Sequence, residues 1–316
     1  MSESPKKQRF LVVGEAYTAQ LAKLDALPEP GCSSRADKAS VTVGGRGLNA
    51  ALMLRFLGAQ SCLCAKIGED VGGRMISSFC VRNDIDHRWL YHDANLRTGS
   101  ELVMMPHGAP YTRVEIPSAA ARLRADELDD ALYNLCPDAV LLSGSLDPDI
   151  QKEVCFITRR QGGAIALDAS RCVPEQLPLH ALESLDLLQI DEACLCALLE
   201  LPELNVRNVL SALIRLEEMV HLKGCIIRRA DGSAFLFWDK ERRVASPVEN
   251  HPILDTAAAS DCFCAAFFYS ILQNCPLNAV CDLAEYVHAL ALSGEGAVLS
   301  VPSMEKMRTL APKMRS

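Results

Sequence analysis

Residues 255–263 read "DTAAASDCF", and the apolar run "CFCAAFFYSIL" extends from 262 to 272. Small residues that lead through one carboxylate into such a run predict the start of a buried helix, near Ser260. The first N–H groups of a helix lack intrahelical acceptors and carry partial positive charge, so they form a ready site for a phosphate. Small side chains let an anion approach that backbone closely. Asp261 has a plainer use too, because a carboxylate in the first turn complements the helix dipole by about 0.3–1 kcal/mol. Ser260 also suits a helix N-cap. Taken alone, the stretch supports either reading.

A second stretch, "VGGRGLNAA" at 43–51, sets three glycines before another helical pattern, "GLNAALMLRFLG", which stops at Gly58. It is not a G-x-G-x-x-G dinucleotide fingerprint. It predicts either a tight turn with close helix–sheet packing, or a backbone surface for a polyol with Asn49 offering donor and acceptor.

Around these stretches, short apolar runs alternate with helical patterns. "FLVV" (10–13), "SCLCAKIG", "AVLLSGS", "AIALDAS", "LDLLQID" and "GCIIRR" read as strands. "GGRMISSFCVRN", "ADELDDALYNL", "IQKEVCFITRRQG" and "EACLCALLE" read as helices, "GSAFLFW" with "RRVASP" as a hairpin, and the tail as mostly helical. Such alternation predicts βαβ units and a doubly wound, mostly parallel α/β sheet covered on both faces, with ligands at the C-terminal strand ends. Polar, alternating segments at about 15–45 and 97–117 do not fit a covered sheet and predict a small β lid. No long linker or repeat is visible, so 1–316 is expected to be a single domain with that lid.

The 316 residues are 49% hydrophobic and 23% charged, as in ordinary soluble domains. A net charge of −8 argues against a general nucleic-acid or acidic-membrane binder, but leaves room for a small anion at a local positive site. The 14 cysteines are scattered, without paired C-x-x-C sets, and predict reduced, buried thiols in a cytoplasmic protein. "MSESPKKQRFLVVG" lacks a signal-peptide core, and no apolar stretch of about 20 residues predicts a membrane span.

Taken together, "GGRGLNAA" early and "DTAAASD" before an apolar helix late resemble the two signature regions of the ribokinase-like (PfkB) carbohydrate kinase family. The likeness extends over about 290 residues, through "LVVGEA", "LPEPG", "LGAQSCLCAKIGEDVGGR", "RTG", "LLSGSLDP", "IALDAS" and "GEGAVLSVPSMEKM". The resemblance implies a ribokinase-like fold with a small β-sheet lid and ATP-dependent phosphorylation of a hydroxyl on a sugar or sugar-like acceptor. It makes Asp261 the catalytic base, with the amides of Ala258, Ala259 and Ser260 as an anion hole. Gly44, Gly45, Arg46, Gly47 and Asn49 match the acceptor turn; Arg97 and Arg113, on predicted lid strands, are placed to reach a phosphate on a sugar-phosphate substrate, with Arg97 taken as a further substrate contact. Asp191, Arg228, Gly232 and Thr256 fall on the nucleotide side. Mg²⁺ would bridge the phosphates, and Asp255, Ala257, Ala291, Gly296 and Ser300 match loops that hold a monovalent cation, K⁺. A homodimer through the β lid is the partner the resemblance suggests; no nucleic acid or membrane is expected.

Several positions depart from the family pattern. The glycines expected in the second signature are Ala258 and Ser260, which matters only where φ must be positive. Ala19 stands where the family has a hydroxyl-binding aspartate, and Glu15 and Tyr17 are the nearby replacements. Cys194 occupies a glutamate position near Asp191 and Glu192, and a thiol does not suit magnesium. Arg229 takes a glycine position before Gly232, and an acidic residue is expected near Ser143. A catalytically degenerate binder of sugar or nucleotide, a nucleoside kinase, and an enzyme of another class on this fold are the alternatives.

Overall fold

A computed structural model describes residues 8–107, 111–182, 184–246, 258–294, 296–303 and 305. Asp255, Thr256 and Ala257 lie outside the described residues.

The chain begins with β1 (Arg9–Val13), then the lid strands β2 (Tyr17–Leu24) and β3 (Lys38–Gly44). Next come α1 (Arg46–Leu57), β4 (Gln60–Gly68), α2 (Val71–Arg82) and β5 (Asp86–Asp93). Two more lid strands, β6 (Ser100–Pro106) and β7 (Thr112–Ile116), precede α3 (Ala125–Leu135), β8 (Ala139–Ser143), α4 (Pro148–Arg160) and β9 (Ala164–Ala169). The second half runs β10 (Ser184–Asp191), α5 (Glu192–Leu198), α6 (Val209–Glu217), β11 (His221–Arg228), β12 (Ala234–Trp238), β13 (Glu241–Ala245), α7 (Ala259–Leu272) and α8 (Leu277–Leu292).

Nine strands form one sheet in the order β13-β12-β11-β10-β9-β8-β1-β4-β5. It is parallel from β5 to β11, and the β12–β13 hairpin closes it antiparallel. Strand β1 shows why its stretch Phe10–Val13 is uniformly apolar. Phe10 and Val12 enter one core with α1, α7 and α8, whereas Leu11 and Val13 enter the core on the opposite face with α3 to α6. Both faces are covered over Phe10–Val13, so these four positions are apolar. Helix α7 lies deep in the first core. Phe263, Phe267 and Phe268 are fully buried, and Phe268 meets Phe10 edge-on at 5.9 Å.

The expected lid is present as a separate four-stranded sheet, β3-β2-β6-β7. Its register matters for the site. One row across the sheet is Thr42, Ala19, Glu101 and Glu115; the next on the same face is Ser40, Leu21, Val103 and Arg113. The opposite face carries Val41, Gln20, Leu102 and Val114 in one row. Among the described residues no helix is long and apolar enough to cross a membrane. All fourteen cysteines are free thiols, most of them buried.

Candidate active site

Glycine allows the turn from β3 into α1 to form. Gly45 has φ 103° and ψ 147°, a region essentially closed to other residues, and a Cβ there would come within 2.5 Å of the Glu15 carbonyl. At Gly47 a Cβ would meet the Gly14 backbone at 2.7 Å. The glycines therefore pack the start of α1 directly onto the end of β1. That packing carries Arg46 and Asn49 to the C-terminal end of the sheet, beside Glu15.

A cavity of about 140 Å³ opens there, lined by Glu15, Gly45, Arg46, Asn49, Ser145 and Gln176, with Tyr17 from the first lid strand. The lid contributes Glu101, Arg113 and Glu115, and Arg171 and Asp261 close it. Asp261 is 1% exposed and sits in the first turn of α7. Its Oδ2 accepts from Asn49 Nδ2 at 2.9 Å and its Oδ1 from Arg171 Nη2 at 3.2 Å, with Arg46 Nε 3.9 Å away. Burial pushes this carboxyl above the ordinary aspartate value, and Asp168 adds to the rise. Arg171, Arg46 and the Asn49 bond oppose it. Arg46 is buried, which works against its charge, but Asp168, Cys172, Glu15 and Asp261 around it hold it protonated.

On the wall of this cavity, the buried atoms Glu15 Oε2, Asn49 Oδ1, and Arg46 Nε and Nη2 have no hydrogen-bond partner among the described residues. Buried polar atoms are ordinarily bonded, so this unused capacity marks a place for a polar ligand.

Helix α7 begins at Ala259, with Ala258 at the N-cap position and no side-chain cap. Ser260 is thus already helical, and its carbonyl accepts from Gln189 Nε2 at 3.1 Å rather than its hydroxyl capping the helix. Ala258 has φ −103°, and neither it nor Ser260 adopts a positive φ. The absent glycines are tolerated because this turn never needs their conformational freedom, and the first-turn N–H groups keep no intrahelical acceptor.

The lid register answers the question raised by Ala19. It is fully buried and directly opposite Glu101, so a carboxylate stands one strand away from the position that lacks one. Glu15, on the other side, accepts a hydrogen bond from Ser145, supplying an acid next to the Ser143–Ser145 segment. Arg97 is exposed and does not line the cavity; Arg113 is the lid arginine that does, with Glu101 at 3.5 Å and Glu115 at 3.7 Å. Glu101, Glu115, Arg171 and Gln176 were not singled out from sequence. The lid acids become visible only through strand register, and Arg171 through a loop conformation with φ 59°.

Where the resemblance places the nucleotide, Asp191 ends β10, and its Oδ2 accepts from the Arg171 N–H at 2.6 Å. Burial raises the Asp191 carboxyl. Neither Asp191 nor any other side chain caps α5. Glu192 pairs with Arg229 at 3.4 Å, and burial pushes the Cys194 thiol up to about 12. Arg228 turns inward: it donates to His288 Nε2 at 2.6 Å and stacks over Phe263 at 4.6 Å. Burial lowers Arg228 to about 10 and, together with Arg228, His288 to about 3. Gly232, at φ 84°, turns the chain from β11 into β12. Ala291 lies in the last turn of α8, and Gly296 and Ser300 lie in the segment after it, where the Leu299 N–H donates to the Gly296 carbonyl at 2.7 Å.

The sequence profile of the pfkB family carbohydrate kinases matches residues 7–304. Among curated relatives, a ribokinase of Arabidopsis thaliana is 22% identical over 307 residues, covering 95% of this chain and 80% of its own. The solved structure of Arabidopsis thaliana ribokinase complexed with ribose and ATP superposes with a TM-score of 0.80 at 20% identity, covering 96% of this chain and 98% of that one. The Methanocaldococcus jannaschii nucleoside kinase, described as an archaeal member of the ribokinase family, does so with a TM-score of 0.75 at 14% identity, covering 98% and 100%. With a sugar-sized polar cavity closed by a β lid and a carboxylate at a helix start, this chain belongs to the pfkB family of carbohydrate kinases, enzymes that transfer a phosphoryl group from ATP to a sugar or sugar-like hydroxyl.

Proposed function

We propose that Asp261 is the catalytic base, taking the proton of the acceptor hydroxyl as the γ-phosphoryl group of ATP arrives. The observation that carries this is a buried carboxylate at the start of α7 that also lines the polar cavity. Two of its oxygens' bonding positions are taken by Asn49 and Arg171, and a carboxylate has about four, so room remains for the acceptor. Asn49 and Arg171 fix its orientation. The first-turn N–H groups of residues 258–260 hold the charge that builds on the transferring group.

Arg46, Asn49, Glu15 and Glu101 are the acceptor contacts. The cavity wall counts Glu15, Glu101, Glu115 and Asp261 against Arg46, Arg113 and Arg171. Each arginine is already opposed by a carboxylate, which favours an uncharged polyol over a sugar phosphate. Magnesium, when bound, neutralises the triphosphate. Asp191 offers a hard oxygen suited to hold it through water, whereas Glu192 is committed to Arg229 and Cys194 is a protonated thiol. Ala291, Gly296 and Ser300, with Asp255 and Ala257 outside the described residues, are the candidate K⁺ loops by family resemblance. Thr256, Arg228 and Gly232 remain nucleotide-side candidates; the inward turn of Arg228 suits it to supporting α7 rather than to touching phosphate. The apolar outer row of the lid, Val41, Leu102 and Val114, supports a homodimer through that sheet. The buried thiols suit a reducing, cytoplasmic setting.

The test is ATP consumption that depends on an added acceptor. Asp261→Asn lowers kcat by about 10²–10⁴-fold while ATP binding persists. A second reading, a binder without turnover, is favoured by Arg229, whose bonds to Glu192 and Asp231 cross the nucleotide loop. ATP binding with no turnover of any acceptor, in wild type as in the Asp261→Asn variant, would establish it.

A further inference from the structure

Strand pairing in the lid brings three chain segments to one rim. β3 runs antiparallel to β2 and β6 runs parallel to it, so β3 starts where β2 and β6 end. There Lys23 faces Lys38, and Leu24 faces Pro106. The ladder continues one step further. The Asp37 N–H donates to the Lys23 carbonyl at 2.8 Å, and the His107 N–H to the Leu24 carbonyl at 3.0 Å. Asp25, Asp37 and His107 therefore stand side by side, each at the end of a different strand. Their ligand atoms, one from each side chain, lie within 4.8 Å of one another. Along β2, at about 3.3 Å per residue, this rim is roughly 25 Å from Tyr17, which lines the cavity.

We propose that this rim binds a divalent transition-metal ion, zinc foremost, through Asp25, Asp37 and His107. The donor set selects the ion. One imidazole nitrogen with two carboxylates suits zinc and its neighbours, whereas magnesium and calcium take oxygen ligands. The spacing agrees with that choice. Two ligands about 2.1 Å from a tetrahedral ion stand about 3.4 Å apart. His107 Nε2 and Asp37 Oδ2 are 3.4 Å apart, which is long for the hydrogen bond they would otherwise make. The His107 and Asp37 side chains are 65% and 55% exposed, so water completes the shell, as in zinc sites with three protein ligands. Within the group two carboxylates stand against one imidazole, an excess of negative charge that the ion offsets. The lid's own buried cluster is small, Ala19, Leu21 and Val103, so an ion that ties three strands at one point stabilises a weakly packed element. None of the three residues lines the cavity, so this ion is distinct from the magnesium of the kinase reading.

The experiment uses zinc alone, without ATP or acceptor, so its outcome is independent of the kinase reading. Cys32 and Cys136 are exposed thiols that would take zinc themselves, so the full chain carries Cys32→Ser and Cys136→Ser. Calorimetric titration is expected to find one zinc ion per chain whose Kd rises at least tenfold in His107→Ala and in Asp37→Asn. Both positions are exposed, and unchanged melting temperatures without zinc show that the variants are folded. Zinc, but not magnesium at the same concentration, is expected to slow amide hydrogen exchange at the rim ends of β2, β3 and β6 together, as one ion bridging three strands must. Zinc affinity unmoved in either variant overturns the proposal, because the ion then sits elsewhere. Absence of zinc binding overturns it too, and so does magnesium binding of equal strength, which would make the rim an ordinary acidic surface.

Discussion

At the scale of single residues, the proposed base is defined by its opponents. Burial raises Asp261 and Arg171 opposes the rise, so the carboxyl ionises above the usual aspartate range, yet lower than it would without the guanidinium. A base must be unprotonated, so kcat/KM rises with pH through that value, and the acid limb lies above the ordinary aspartate value of about 4. Arg171→Gln removes the opposing charge, raises the Asp261 pKa and moves the acid limb to higher pH. A pH–rate profile checks this; a loss of plateau rate with an unmoved limb would mean that Arg171 acts only as a structural tie. Asp261 itself was legible in sequence because a small-residue turn and an apolar helix bracket it. Arg171 was not, because it lies ninety positions away in a loop whose backbone conformation no pattern announces.

At the scale of elements, the turn from β3 into α1 determines where Arg46 and Asn49 point. The Gly45 conformation is open to glycine alone, and a methyl group would strike the Glu15 carbonyl. Gly45→Ala is expected to destabilise the fold by about 1–3 kcal/mol, seen as a lowered melting temperature. It also displaces Glu15 and Asn49, so the KM for the acceptor rises more than the KM for ATP. Equal effects on both would separate this turn from acceptor binding. The glycine spacing exposed this element in sequence. Strand β5 and helix α6 escaped it. The first, "DHRWLYHD", is an edge strand with mixed polarity. The second, "VLSALIRLE", is short and follows a proline-containing connection, which masks a nine-residue helical period. Neither touches the cavity. The lid acids Glu101 and Glu115 do, and their meeting with Ala19 is a fact of cross-strand register that a linear reading does not contain.

At the scale of the whole molecule, two bodies of unequal strength meet over the site. The nine-stranded sheet is clamped by large cores on both faces. Among the described residues the lid has a small buried cluster of its own, Ala19, Leu21 and Val103, with Met105 and Tyr111 packed against it. Its inner face instead presents Glu101, Glu115 and Arg113 to the cavity. Local opening energies follow buried apolar contact, so the lid belongs to the low-stability end of this molecule and the central strands to the high end. Amide hydrogen exchange of β2, β3, β6 and β7 is therefore expected to proceed through local opening, far faster than that of β1, β4, β8 and β9. On the proposed reading, acceptor and ATP together would hold the lid acids and arginine against the site, and are expected to slow exchange in β6 and β7 preferentially. Uniform slowing across both sheets would indicate simple stabilisation of the folded state by ligand. Protection confined to the lid would instead make it the element that closes over the acceptor and excludes water from Asp261 while phosphate is transferred.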